Sequence, residues 1–308
     1  MQWLLAEGLF RSGLYVHVKG LQRKRAMLMF HSILPERNLE LHLRNNSIAE
    51  LTRTVHILKR MGSIVSVKQW MEESEPNQFA ITFDDGLLNN LNYAAPALAK
   101  LHVPASYYIN TSYVAGNAFV WPEKLSLMTR DHKGTLHARG QYYIRHAHNR
   151  WLNRDTASTM VSDWMSLSME DIEHALNEIE IQCGGMELLE AHRVMKGEEI
   201  KILSAMPGVT IGSHGVDHRD MTTLSEADLR DTLLTSKTYL EQCTNQKVDE
   251  LAFPFGATNA FVCDIARKQG YTHLIGVNAE KASPQIAMRY GIYNHLPISI
   301  QLKSMLSE

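Results

Sequence analysis

The sequence predicts an α/β chain built on a parallel sheet. Short apolar, β-branched or aromatic runs recur along it, and amphipathic helical segments fall between them. Buried strands are expected at 26–31, 79–83, 105–110, 209–212, 250–253 and 271–277. Ser47-Ile48-Ala49-Glu50 is a capping box that opens a helical run to Met61. A second run covers 90–101, with Gly86 before it and Pro104 beyond its end. Ser225-Glu226-Ala227-Asp228 starts a third that reaches about Cys243, and a fourth over 259–269 is closed by Gly270.

Residues 117–194 break this rhythm. The stretch is polar, rich in Arg and His, and holds Trp121, Tyr142, Tyr143, Trp151 and Trp164. Ser168-Met169-Glu170-Asp171 begins a helix through Gln182, ended by Gly184-Gly185. The segment reads as a mostly helical insertion within a single domain over 1–308. At 44% hydrophobic residues the chain buries a sizeable core. A formal net charge of -2 gives no global reason to expect nucleic acid or an anionic membrane as partner. Cys183, Cys243 and Cys263 are scattered without pairing and read as reduced thiols. The start, Met1-Gln2-Trp3-Leu4-Leu5-Ala6-Glu7-Gly8, lacks a positive n-region and a long apolar run. A cytoplasmic location without an integral membrane segment is therefore expected. Trp3, Leu4, Leu5, Leu9 and Phe10 suggest a helix over 1–20 packed on the domain, with surface attachment to a membrane as the alternative. Oligomeric state is not legible.

Two stretches carry the chemistry. Phe79-Ala80-Ile81-Thr82-Phe83-Asp84-Asp85-Gly86 is a short apolar strand delivering two adjacent carboxylates onto a glycine turn. Ser213-His214-Gly215-Val216-Asp217-His218 supplies two imidazoles at a spacing that lets both reach one cation. One carboxylate and two histidines make a three-ligand site with a position left for water, and the second carboxylate stays free as a base. This is a donor set for metal-assisted hydrolysis. Zn²⁺ suits an O/N/N set best, with Fe, Co or Ni as alternatives. It is not a zincin helix, because Gly215 stands where the base of that motif would be.

Thr82-Phe83-Asp84-Asp85-Gly86 followed by Ser213-His214 and His218 resembles the signature of the polysaccharide deacetylases, the NodB-homology enzymes of carbohydrate esterase family four. Leu28-Met29-Phe30-His31 and Phe253-Pro254-Phe255-Gly256 resemble further segments of that family. The resemblance implies a distorted, incomplete (β/α) barrel with the helical insertion over one side of its mouth. It assigns Asp84 to the general base and Asp85, His214 and His218 to the metal. It also gives the Phe255 backbone N–H a role as donor to the oxyanion. Where the family loop often reads Arg-x-Pro-Tyr, Ala252 stands at the arginine position and Phe255 at the tyrosine. In many relatives a histidine late in the barrel protonates the leaving amine; His295 matches that place, and His31, at the end of the first strand, competes for the role.

Other residues take secondary roles. Ser213 orients its loop, and Asp217 either holds His218 in its tautomer or is an exposed loop acid. His273 is a structural histidine inside an apolar strand. Arg289 is expected to make a surface salt bridge, with an anionic substrate group or the missing arginine charge as alternatives. Trp121, Arg145, His146, Arg150 and Trp151 read mainly as core and solvated helix faces, with a sugar-stacking or phosphate-reading lid as the sharper alternative.

The function expected is removal of an N-acetyl group from an amino sugar in a glycan or glycan precursor. A cytoplasmic site of action would favour a nucleotide- or lipid-linked precursor. Two rivals stay open: an amidohydrolase acting on a small non-sugar amide or cyclic ureide, and a non-catalytic glycan-binding protein on a deacetylase scaffold.

Overall fold

The structure, a computed structural model, describes residues 25–38, 41, 44–116, 118–185, 189–277 and 286–307. The segment 1–20, expected to be an amphipathic helix, lies outside them.

The chain opens with β1 (Ala26–Phe30), then a small parallel pair, β2 (Ser32–Leu34) and β3 (Asn45–Ser47). Ser47 then caps the helix Ile48–Met61, and its reciprocal bonds with Glu50 complete the capping box. β4 (Ser63–Ile64), β5 (Gln78–Phe83) and β6 (Ala105–Ile109) follow, separated by the helices Val67–Glu72 and Ala95–Lys100. The insertion contributes β7 (Leu136–Ala138), β8 (Gln141–His146) and β9 (Arg150–Asn153). The frame resumes with β10 (Val209–Ser213), β11 (Glu250–Ala252), β12 (His273–Val277) and β13 (Ala287–Gly291).

Every pairing in the main sheet is parallel. The order β1-β13-β12-β11-β10-β6-β5 closes on itself through β1 and β5, whose Ala26–Phe30 and Phe79–Phe83 lie side by side. A seven-stranded barrel results. It is incomplete only against the eight strands of a full (β/α) barrel. It is distorted where β10 meets β11, which share the single register pair Ser213↔Leu251. β4 is an extra edge strand on β5.

The six strands expected from sequence all form, within a residue or two at each end. The seventh, β13, was not expected. Its sequence, AMRYG, sets an arginine in the middle of a short run and so breaks the apolar pattern.

Alternation divides the packing into two layers. Leu28, Phe30, Ile81, Phe83, Tyr107 and Leu251 face outward into the core beneath the helices. Met27, Ala80, Tyr108, Ala252, Ile275 and Ala287 pack inside the barrel. The alanines leave the lumen room for one large ring, Tyr108. Gly212 makes way for it, since a Cβ there would stand 2.4 Å from the tyrosine ring.

The insertion carries the helices Trp121–Thr129, Met160–Trp164 and Met169–Cys183. It also carries an antiparallel meander, β7-β8-β9, that the helical expectation omitted. Its first turn, Arg139-Gly140, holds both residues at positive φ between the paired Ala138 and Gln141. Arg-Gly is a poor cue for such a hairpin, where Asn-Gly is usual. Trp121, Trp151 and Trp164 are buried in the insertion's own core, so the tryptophans named as lid candidates pack inward. Among the described residues no helix is long and apolar enough to cross a membrane.

Candidate active site

The same alternation builds the site. In an extended strand, residues two apart share a face. Continuing by twos from the lumen residues, Met27 and Met29 lead to His31, and Ala80 and Thr82 lead to Asp84. Gly212 leads to His214, and Ala287 to Arg289. These positions meet at the C-terminal mouth of the barrel, where barrel chemistry is placed.

Asp84 and Asp85 follow β5. The Asp84 N–H donates to the Phe30 carbonyl at 3.0 Å, tying the turn to β1. Asp85 (φ 71) and Gly86 (φ 67) then bend the chain through two left-handed residues. Glycine is required at the second, because a Cβ there would stand 2.9 Å from the Ile109 side chain. Adjacent carboxylates are thereby given different partners.

Asp84 is clamped by Arg289. Nη1 donates to Oδ1 at 2.6 Å and Nη2 to Oδ2 at 2.8 Å, with both side chains buried. Nη1 also reaches the Thr82 hydroxyl at 3.1 Å. Arg289 is therefore not the surface salt bridge expected from sequence. It supplies the charge that Ala252 cannot, from a different strand. Burial alone pushes the Asp84 carboxyl up, but the Arg289 guanidinium, with the His214 and His31 rings beside it, outweighs burial and holds the group below the usual carboxylate range. The guanidinium stacks over Tyr108, 5.3 Å from the ring centroid, and the Tyr108 hydroxyl donates to Glu250 at 2.9 Å. Burial pushes the Glu250 carboxyl up, which favours the neutral acid in the lumen.

Asp85, His214 and His218 converge on one point. Their ligand atoms lie within 4.8 Å of one another, and all three residues are buried. His214 Nδ1 sits 2.7 Å from the Ala252 carbonyl, which only accepts, so the ring proton lies on Nδ1 and Nε2 faces the carboxylates. That Nε2 is 3.7 Å from Asp85 Oδ1, and His218 Nε2 is 3.3 Å from the same oxygen. Burial holds the His214 imidazole below its ordinary pKa, against the pull of Asp84, and this favours the neutral form a ligand needs. For Asp85 burial acts upward, yet its close contact with the His218 imidazole brings its carboxyl down. Asp85 Oδ1 is buried without a hydrogen-bond partner among the described residues. A buried carboxylate oxygen left in that state is costly unless a cation compensates it. The residues fit a divalent metal.

The supports of this group partly differ from expectation. Ser213 orients its loop as expected: its hydroxyl lies 2.7 Å from that of Ser236 and accepts from the Gly215 N–H at 3.1 Å. Asp217 does not hold His218. It pairs instead with Arg219 at 2.7 Å, and His218 Nδ1 has no hydrogen-bond partner among the described residues. His218 is fixed by its backbone and its ring face. Its carbonyl accepts from the Trp121 indole N–H at 3.2 Å, and its ring meets Phe255 edge-on at 4.5 Å. Phe255 itself sits at φ 59, a conformation a bulky residue adopts only where its surroundings enforce it. Its ring also packs on Trp121 at 5.9 Å. Trp121, Phe255 and His218 thus form one aromatic wall joining the insertion to the barrel.

The two acid candidates are separated. His31 is buried at the end of β1, and its charge bears on both Asp84 and Asp85. The ring neighbours of His295 are His148 at 5.4 Å and Tyr293 at 6.0 Å, away from the carboxylates. His273 is structural: it sits at the opposite end of the barrel, beside Glu72 and Asp249. Arg145 is also structural, donating to the carbonyls of Arg130 and His132 at 2.6 Å each, whereas His146 and Arg150 are exposed.

Comparison with known proteins finds similar chains. Residues 188–274, which include both histidines, match the family model described as polysaccharide deacetylase. No curated protein matches the sequence. Among solved structures the chain is similar to the Streptococcus pyogenes deacetylase PplD, with TM-score 0.59 at 15% identity, covering 92% of this chain and 99% of that one. IcaB from Ammonifex degensii gives 0.55 at 15% identity, covering 92% and 97%. A de-N-acetylase from Aggregatibacter actinomycetemcomitans gives 0.56 at 13% identity, covering 91% and 99%. At these identities the structural likeness speaks to the fold.

Proposed function

We infer that this chain, which is similar to the polysaccharide deacetylases, is a hydrolase that removes an N-acetyl group from an amino sugar with the help of a divalent cation. One observation carries the reading. A buried Asp85/His214/His218 cluster with an unpartnered carboxylate oxygen stands beside a second carboxylate, Asp84, held ionised by Arg289.

Asp85, His214 and His218 would hold the cation, with Zn²⁺ the best match to one oxygen and two nitrogen donors. Bound there, it would supply Lewis-acid polarisation of the amide carbonyl and a lowered water pKa. Asp84, not engaged as a ligand and kept anionic, accepts the proton from the attacking water. The Phe255 backbone N–H donates to the oxygen on which charge develops. His31, the histidine that faces the carboxylates, returns a proton to the departing amine. Trp121 and Phe255 form the apolar wall that limits water at the reacting bond.

Acetate release from N-acetylglucosamine oligomers, measured before and after chelation and again after Zn²⁺ or Co²⁺ is restored, tests the reading. Chelator-sensitive release is expected. Metal binding without acetate release would favour a non-sugar amide, and the absence of both would favour a binding protein on this scaffold.

A further inference from the structure

A cleft of about 230 Å³ opens between the barrel mouth and the insertion, lined by Pro122, Leu125, Trp151, Met160 and Val161 with Arg44, Arg150 and Tyr293. It borders the proposed site on two sides. Arg44 Nη1 lies 3.3 Å from His31 Nε2, and Pro122 follows Trp121, whose indole bonds the His218 carbonyl. Its volume is below the several hundred Å³ usual for a whole ligand, so it suits one portion of a larger molecule.

The charge around this cleft is one-sided. Among the described residues no Asp or Glu lines it. Arg150 is exposed and has no carboxylate partner among the described residues. Arg150, His148 and Arg37 all bear on His295, whose imidazole is held below its ordinary pKa by burial and by these neighbours. Arg37 pairs with Glu50 at 3.6 Å. An arginine left without an acid at the edge of a cleft raises the local concentration of anions. Arginine forks also match phosphate oxygens geometrically. The apolar floor beneath them suits a hydrophobic or flat carrier joined to that phosphate.

We propose that this cleft binds a phosphate group and the first part of its carrier, so that the substrate is a phosphate-linked N-acetylated amino sugar and not a neutral polymer. The inference rests on the deacetylase reading for the sugar, but the cleft is testable without turnover. Binding of N-acetylglucosamine 1-phosphate and of the uncharged N-acetylglucosamine dimer is measured by calorimetry at low and high salt. The phosphorylated sugar should bind about tenfold more tightly or better at low salt, and the preference should shrink as salt screens it. Arg150→Ala should weaken that preference and Arg150→Glu should abolish it. Arg230→Ala, at an exposed arginine paired with Glu226, should leave it in place.

UDP-N-acetylglucosamine and polyprenyl-diphosphate N-acetylglucosamine in micelles then tell a nucleotide carrier from a lipid one. Equal affinity for charged and neutral sugars, no binding of either, or a preference that survives Arg150→Glu overturns the proposal. Acetate release from neutral oligomers without a phosphate preference sinks the cleft and leaves the deacetylase reading standing. Phosphate-selective binding without acetate release from any of these sugars does the reverse.

Discussion

Replacing Arg289 by methionine keeps most of the volume and removes the charge. In the native protein two charge-assisted hydrogen bonds, at 2.6 and 2.8 Å, join it to the buried Asp84. At about 1.5–3 kcal/mol each, their loss agrees with the roughly 3–5 kcal/mol observed when one partner of a buried pair is deleted. That corresponds to a fall in Tm of about 5–10 °C for a domain of this size. The sign of the pH effect follows from the same pair. In the native protein the Asp84 carboxyl lies below its ordinary value, so its contribution is present above the unfolded carboxylate pKa and is lost as pH falls through the lower folded one. Without Arg289 burial dominates and the folded pKa rises above the unfolded one. The variant should therefore come closest to native stability in acid and fall furthest behind near neutrality. Thermal unfolding from about pH 4 to 8 and the pH profile of acetate release read both effects. The acid limb of the profile should move to higher pH, because Asp84 must be ionised to accept a proton. A variant with native Tm and an unmoved acid limb would refute the reasoning.

Two further perturbations probe the scaffold and the proton donor. Gly212→Ala would place a Cβ 2.4 Å from the Tyr108 ring under Arg289, so a loss of about 1–3 kcal/mol in stability is expected; an unchanged Tm would show that the lumen has spare room. His31→Ala should lower kcat by about 10²–10⁴, the range for a general acid, whereas His295→Ala should act chiefly through KM. Equal kcat losses in the two variants would return the acid role to an open question.

Much of this was legible in the sequence because it depends on alternation and local turn chemistry. The Phe79–Phe83 run fixed both the strand and the place where Asp84 and Asp85 emerge. Two glycines marked the neighbouring loops. What was read only as an alternative was Arg289 as the partner of the base. Arg289 lies on β13, and the charge that makes it functional also disrupted the pattern by which a strand is recognised. Besides the arginine charge missing at Ala252, its signal was its place two positions after Ala287 on an inward face. The support of His218 was equally hidden. It comes from Trp121 and Phe255, far apart in sequence and joined only when the insertion folds against the barrel. Asp217 looked like the natural partner by adjacency, but Arg219 is nearer to it.

The central claim is that Asp85, His214 and His218 hold one divalent cation while Asp84 stands free as the base. Metal content of the purified native chain, Asp84→Asn and His214→Ala, each reconstituted with Zn²⁺ and assayed for acetate release, tests it most directly. The account predicts about one metal per chain in the native protein and in Asp84→Asn, with turnover in the native protein alone, and neither metal nor turnover in His214→Ala. Full activity in Asp84→Asn, or undiminished metal in His214→Ala, would contradict it.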